Sequence, residues 1–463
     1  MVFSSIAFLC YFLPISLILY FISPNKLKNA VLFAVSLFFY AWGEPKFLPV
    51  MLVTVAQGYV FGILIEESDG KAKKCCFVIS IALSLGSLLY YKYADFLIES
   101  VNALGLSIPK TGARLPIGIS FYTFQILSYT VDIYRGKVSA QRNFINLGAY
   151  VAMFPQLIAG PIVRYGKISE QLESRSHSIS LCASGTRRFV LGLGKKVLIA
   201  NVLGELAKIC LSSEKSVLFL WLYAVSVMLS IYFDFSGYSD MAIGLGRIFG
   251  FDFDENFNYP YISKSISEFW RRWHMSLGSF FRDYVYIPLG GSRVGRGRFF
   301  LNVFIVWLLT GLWHGAAWNF AVWGLYFGVL ICAERAIPEK TLDKFPILRR
   351  AAVLILLAVS FVIFDADSLA SAAECIKGMF GVGGIAIVND AALYYLKSYG
   401  AVLIIGIFGA CPTAAKTMEK LRENSRIDGV LCIVEPIALA AIIVVCLGYI
   451  VDGSFNPFLY FRF

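Results

Sequence analysis

Apolar runs of about 20 residues recur along this chain, and that repetition leaves few folds open to it. Such a run matches the thickness of a bilayer core. Inside lipid every backbone N–H and C=O must find its partner within the protein, which favours helices. Candidate spans lie near 3–23, 29–43, 45–65, 75–93, 189–211, 217–233, 300–319, 321–335, 350–366, 394–412 and 431–451. The composition agrees with them. Of the 463 residues, 58% are hydrophobic and only 15% charged, and mean hydropathy is +0.70. Soluble domains carry roughly 25% charged residues. The reading is an all-α polytopic membrane protein with about eleven transmembrane helices. No linker or long polar block divides it, so one integral domain over 1–463 is expected. The first run has no basic stretch before it and no small-residue cleavage site, so it reads as a retained helix rather than a signal peptide.

The ten cysteines are scattered, with no C-x-x-C spacing. In apolar runs free cysteine behaves as a small hydrophobe, so neither a disulfide framework nor a metal is expected. The net charge of +11 points to topology and lipid headgroups rather than nucleic acid. Positive residues gather in loops that stay cytoplasmic. Ten basic residues against two acidic ones lie between Arg135 and Lys196, and seven against two between Lys264 and Arg298. Such a cytoplasmic mouth would also attract a phosphate-bearing donor.

Segments 115–134, 144–165, 234–263 and 264–291 mix apolar residues with Gly, Pro, Asp and Arg. They are too polar for lipid and too apolar for solvated loops, and read as re-entrant or interfacial pieces covered by protein. Ser265 to Glu268 fits a capping box, so a helix should start there. Trp270, Trp273, Leu277, Phe281 and Tyr284 would share its aromatic face and Arg271, Arg272 and Arg282 the other. The helix should end before the turn at 287–291. An interfacial amphipathic helix explains the same pattern.

The chain has only three histidines. His314 lies in the apolar run VWLLTGLWHGAAWNF at 306–320, where an ionisable residue usually marks a proton relay or reaction centre. Imidazole is well suited to accept a proton from a hydroxyl at neutral pH. Thr310, His314 and Trp318 would share one stripe, with Gly311 and Gly315 letting another backbone approach. The bland alternative is a buried histidine bonded to a carbonyl. His274 borders both faces of the 264–291 helix, and its functional weight depends on His314. Asp234 and Asp240 need partners if buried, with Arg247, Arg271 or Arg272 as candidates. His177, in a polar loop, is assigned no function. The functional readings left open are acyl transfer, proton-coupled transport through His314, Asp234 and Asp240, and a noncatalytic scaffold.

Taken together, the motifs resemble the membrane-bound O-acyltransferase family, most closely its bacterial, alginate-acetylating branch. The resemblance rests on LPIGISFYTFQ at 115–125, FPQLIAGPIVR at 154–164, YFDFSGYSD at 232–240 and NFNYPYI at 256–262. It continues through EFWRRWH at 268–274, FRDY at 281–284, YIPLGG at 286–291, WLLTGLWHGAAWN at 307–319 and NPFLYFRF at 456–463. It covers most of the chain and is strongest over about 115–330. It implies a ring of tilted helices around a thinned centre. It also implies a catalytic His314 with His274 as the second motif histidine, and Arg271, Arg272, Asp234, Asp240, Trp273 and Trp313 as substrate-binding candidates. The implied donor is cytoplasmic acetyl-CoA, with a phosphopantetheine carrier-protein thioester as the alternative. The implied partners are extracytoplasmic acetyltransferase proteins and a polysaccharide, and the implied location is the bacterial inner membrane. D-alanyl transfer to teichoic acid is the runner-up. One departure stands out: Phe327 occupies a place where many relatives of this branch carry histidine.

Overall fold

The computed structural model describes residues 2–158, 160–337 and 344–452, so the expected motif at 456–463 lies outside the described residues. Helices account for the architecture, with no strand among the described residues. This is an all-α, multi-pass membrane protein. Six described helices are long and apolar enough to cross a bilayer, and a bent pair, Asp390–Ser398 with Gly400–Gly409, would make a seventh. Helix is present at all eleven expected positions, and the remaining four have identifiable shortfalls. Ala7–Ile22 and Lys28–Gly43 are shorter than a full span of about 20 residues. The 189–211 stretch is interrupted by a π-turn at Lys195–Ala200. Trp318–Ala336 is rich in Trp and Tyr and ends in Glu334 and Arg335, which lowers its hydropathy.

The chain folds as two compact units, Met1–Phe189 with Met241–Asp254, and Val190–Asp240 with Glu255–Phe463. In the first, Ile119–Tyr134 is a regular helix buried over 14 of its 16 residues, not an irregular piece. Two of its hydroxyls are satisfied within the helix: Ser128 donates to the Gln125 carbonyl at 2.9 Å and Thr130 to that of Ile126 at 2.8 Å. Polar residues that bond their own helix can be covered without an orphaned group. In the same unit His177 meets the Tyr20 hydroxyl at 3.0 Å, and Arg175 donates to that hydroxyl at 2.8 Å.

The second unit carries the paired histidines. Its relevant helices are α1 (Val217–Ile248, residues 217–240 in this unit), α2 (Ile266–Arg272), α3 (Met275–Phe281), α4 (Arg296–His314), α5 (Trp318–Ala336) and α6 (Pro346–Asp365). Helix α1 runs well past the expected end at 233. It can do so because its carboxylates are neutralised: Asp234 pairs with Lys196, and Asp240 with Lys195 at 2.6 Å. The arginine partners expected from sequence are therefore replaced by two lysines of the π-turn. Those lysines serve these aspartates rather than a solvent-facing basic cluster. The two aspartates lie three residues either side of Gly237, on one helix face. Any Cβ at Gly237 would press on the Gly192 carbonyl and the Lys196 amide, so glycine permits the approach.

Helices α4 and α5 form a close hairpin. A Cβ on Gly311 would collide with the Phe320 carbonyl, and one on Gly324 with that of Trp307. Gly311 thus serves as the sequence suggested. Gly315 differs: it makes room for the Phe320 ring rather than for a backbone.

Candidate active site

Helix α2 starts as its sequence requires, with the Ser265 hydroxyl accepting the Glu268 N–H at 3.0 Å. The return bond is displaced by one residue, since the Glu268 carboxylate accepts from the Lys264 N–H at 2.8 Å. Burial alone would raise the Glu268 pKa, but that N–H and Arg272 outweigh it and hold the carboxyl below its ordinary value. Glu334 of α5 covers the same helix start, accepting the Ile266 N–H at 2.7 Å.

The single amphipathic helix expected from Ser265 to just before the turn at 287–291 is broken. It stops at Arg272, Trp273 is extended, and His274 adopts the left-handed conformation at φ 44° and ψ 54°. The backbone groups exposed by the break are taken up by residues 256–258. The Asn258 N–H donates to the Arg272 carbonyl and the Met275 N–H to the Asn256 carbonyl, both at 2.9 Å. Among the described residues the only non-glycine positions with positive φ are Tyr259 and His274, both in this clasp. A left-handed residue costs about 1–2 kcal/mol, and such strain collects at functional sites.

His274 is almost wholly buried. Its Nδ1 lies 3.1 Å from Asn256 Oδ1, and the Phe235 ring stands edge-on at 4.5 Å. Although α2 and α3 are not spans, full burial and then the neighbouring His314 push its imidazole well below the ordinary histidine range. His314, the last residue of α4, is also buried. It sits among the rings of Trp313, Trp323 and Phe364 at 5.0, 5.0 and 5.4 Å. Because α4 ends there, Trp318 opens the next helix and is 60% exposed, so the expected Thr310–His314–Trp318 stripe does not form. Trp313 connects the two histidines, its ring 5.7 Å from His274 and 5.0 Å from His314.

A cavity of about 990 Å³ is bordered by Trp270, Arg271 and His274, by Trp307 and Thr310 of α4, and by Arg282, Glu334, Arg335 and Arg349. Arg271 is exposed and His274 buried, so the cavity joins the surface to His274, and Trp313 separates that ring from His314. Four arginines line it, one of them, Arg282, paired with Asp283 at 2.7 Å; against a single glutamate that is itself engaged by backbone N–H groups, they favour an anionic occupant. Among the described residues no three His, Cys, Asp or Glu side chains gather as metal ligands.

The sequence candidates thus divide. Arg271 and His274 line the cavity. Arg272 does not: it folds back on Glu268 at 2.9 Å and on the Asn258 carbonyl at 3.2 Å. Trp273 packs in the core against Phe257 and Phe361, at 5.1 and 5.4 Å. Asp234 and Asp240 hold their lysines. Phe327 is buried against Trp270, Trp323 and Trp307 at 4.8, 5.2 and 5.4 Å, completing an aromatic cluster. Arg282, placed from sequence on the polar face with Arg271, does line the cavity, whereas sequence reasoning missed Asn256, Ser276, the pairing role of Lys195 and Lys196, and the outer arginines Arg335 and Arg349. Asn256 stood in a motif without a role. Arg335 and Arg349 gave no periodic signal, because two other helices, α5 and α6, bring them to the cavity.

A model of the membrane-bound O-acyltransferase family matches residues 135–364, which include both histidines. A probable alginate O-acetylase of Pseudomonas putida is 39% identical, with both chains covered in full. The chain belongs to the membrane-bound O-acyltransferase family. Membership makes it an O-acyltransferase, on the branch of the alginate O-acetylases. A peptidoglycan O-acetyltransferase of Helicobacter pylori is 31% identical over all of this chain and 98% of that one. A teichoic acid D-alanyltransferase of Bacillus subtilis is 30% identical, over 46% of this chain and 58% of that one.

Proposed function

We propose that this O-acyltransferase takes an acetyl group from acetyl-CoA on the cytoplasmic side of a bacterial inner membrane. The acetyl passes across the membrane for O-acetylation of an extracellular or cell-envelope polysaccharide. One observation carries the reading: an arginine-lined cavity ends on the buried His274, and Trp313 lies between that ring and the buried His314. Full-length likeness to an alginate O-acetylase and a peptidoglycan O-acetyltransferase supports acetyl as the cargo and a polysaccharide as its destination. Likeness to the D-alanyltransferase covers less than half the chain, so a carrier-protein thioester is the secondary donor.

In this mechanism Arg271, helped by Arg282, Arg335 and Arg349, meets the donor phosphates through charge-assisted bonds. His314 removes the proton from the acceptor hydroxyl as its oxygen attacks the thioester carbonyl. The tetrahedral intermediate collapses, the C–S bond breaks, and the thiolate leaves with a proton. General-base help of this kind is worth about 10²–10⁴-fold. His274, on the cavity wall, orients the donor or polarises its carbonyl. Trp313, Trp323 and Phe364 keep water from the base, which limits hydrolysis of the donor. The acceptor is a hydroxyl of the polysaccharide or of an extracytoplasmic acetyltransferase partner.

The test is transfer of labelled acetyl from acetyl-CoA by the purified protein in lipid discs with its extracytoplasmic partner. Label should reach partner or glycan with the wild type and not with folded His314→Ala. Transfer only from a carrier-protein thioester would replace the donor, and proton-driven transport without transfer would replace the reaction.

A further inference from the structure

The clasp that breaks the α2–α3 helix also determines where the His274 proton sits. Asn256 is 1% exposed and its side chain is bonded at both ends. Its Nδ2 donates to the Ser239 hydroxyl at 3.1 Å. Its Oδ1 accepts the Ser276 backbone N–H at 3.2 Å and the Ser276 hydroxyl at 2.9 Å. A backbone N–H can only donate, so the amide cannot be reversed without setting donor against donor. The atom facing His274 Nδ1 at 3.1 Å is therefore an acceptor. The Ser276 hydroxyl is also near Nδ1, at 3.5 Å, but it has one proton and directs it to Oδ1 over the shorter distance.

From this the geometry points to Asn256 as a positioning residue that holds His274 in the Nδ1–H form, so that Nε2 carries the lone pair. The inference rests on the proposed role of His274 at the donor, and goes beyond it by naming the residue that sets the ring. The strained left-handed backbone at His274 belongs to the same device. It ends α2, pairs Met275 with the Asn256 backbone, and brings Nδ1 to the Asn256 side chain. A ring fixed this way offers Nε2 as a base or hydrogen-bond acceptor without a tautomer change during turnover.

Nitrogen NMR of the full chain in lipid discs, labelled at histidine, reads this directly. Only His177 and His314 need be removed, each by substitution with Gln, to identify the His274 signals. The wild type should show protonated Nδ1 and unprotonated Nε2. Asn256→Leu should mix the two forms and lower kcat for acetyl transfer by roughly 10²-fold, with the KM for acetyl-CoA nearly unchanged. Asn256→Asp keeps the acceptor, so it should retain Nδ1–H and recover much of the rate. It should also move the acid limb of the pH profile upward, because a carboxylate favours the imidazolium. Should Asn256→Leu not fold, the wild-type spectrum and Asn256→Asp decide the matter. An Nε2–H wild type, or a tautomer indifferent to Asn256→Leu, overturns the assignment. A tautomer that follows Asn256 while His274→Gln leaves transfer intact would instead overturn the role given to His274.

Discussion

The two buried histidines of this unit are held by opposite means. His274 is fixed by polar bonds, through Asn256, Ser276 and a paired backbone, at the expense of left-handed strain. His314 ends a helix packed glycine to glycine against α5, with Trp313, Trp323 and Phe364 around its ring. Polar bonds determine which nitrogen carries a proton. Aromatic walls determine whether water reaches the ring and how it is turned. A reaction that moves a proton near a water-sensitive thioester needs both, and Trp313 lies against both rings.

The largest effect should come from the aromatic side of this pair. His314→Gln is expected to lower acetyl transfer by about 10²–10⁴-fold, with helicity and thermal midpoint retained, as read by labelled transfer and circular dichroism. A variant that folds and transfers normally would leave His274 as the only working histidine.

Next is the ion pair that lets α1 continue. Lys196→Ala leaves a buried Asp234 without its lysine and should cost about 3–5 kcal/mol, seen as a lower midpoint in detergent unfolding. Lys196→Met with Asp234→Leu should recover most of it, since an apolar pair of similar volume avoids the desolvation cost. Failure of the double variant to recover would mean these charges do more than let α1 continue.

The adjacent arginines give a smaller and sharper contrast. Arg271→Ala should raise the KM for acetyl-CoA by about 10-fold to 100-fold, the loss of one charge-assisted bond worth roughly 1.5–3 kcal/mol. Arg272→Ala removes a partly exposed pair with Glu268. It should cost at most about 1 kcal/mol in stability and leave that KM unchanged. Equal KM effects from both would place the donor elsewhere on α2.

Much of this was legible in the sequence, and the reasons are particular. The apolar runs located helices at every expected position, and Ser265 with Glu268 marked the start of α2 correctly. His314 and His274 stood out because imidazole is rare in such surroundings. The break at His274 could not be read, because the aromatic spacing runs through it undisturbed. The force that breaks the helix is pairing with Asn256 and Asn258, which lie more than a dozen residues earlier. Asp234 and Asp240 drew attention, but their lysines belong to a segment read as a cytoplasmic charge cluster. Arg271 and Arg272 look equivalent along the chain. They differ because only Arg272 reaches Glu268 one turn back.

The account depends most on the arginine-lined cavity being where the donor binds. The most direct test is the structure of the protein in lipid discs with a non-transferable thioether analogue of acetyl-CoA. The account predicts the analogue's phosphates beside Arg271 and the outer arginines, and its acyl end at His274 on the side facing His314. An analogue bound outside that cavity, or seated in it with the acyl end turned away from both histidines, would contradict the account.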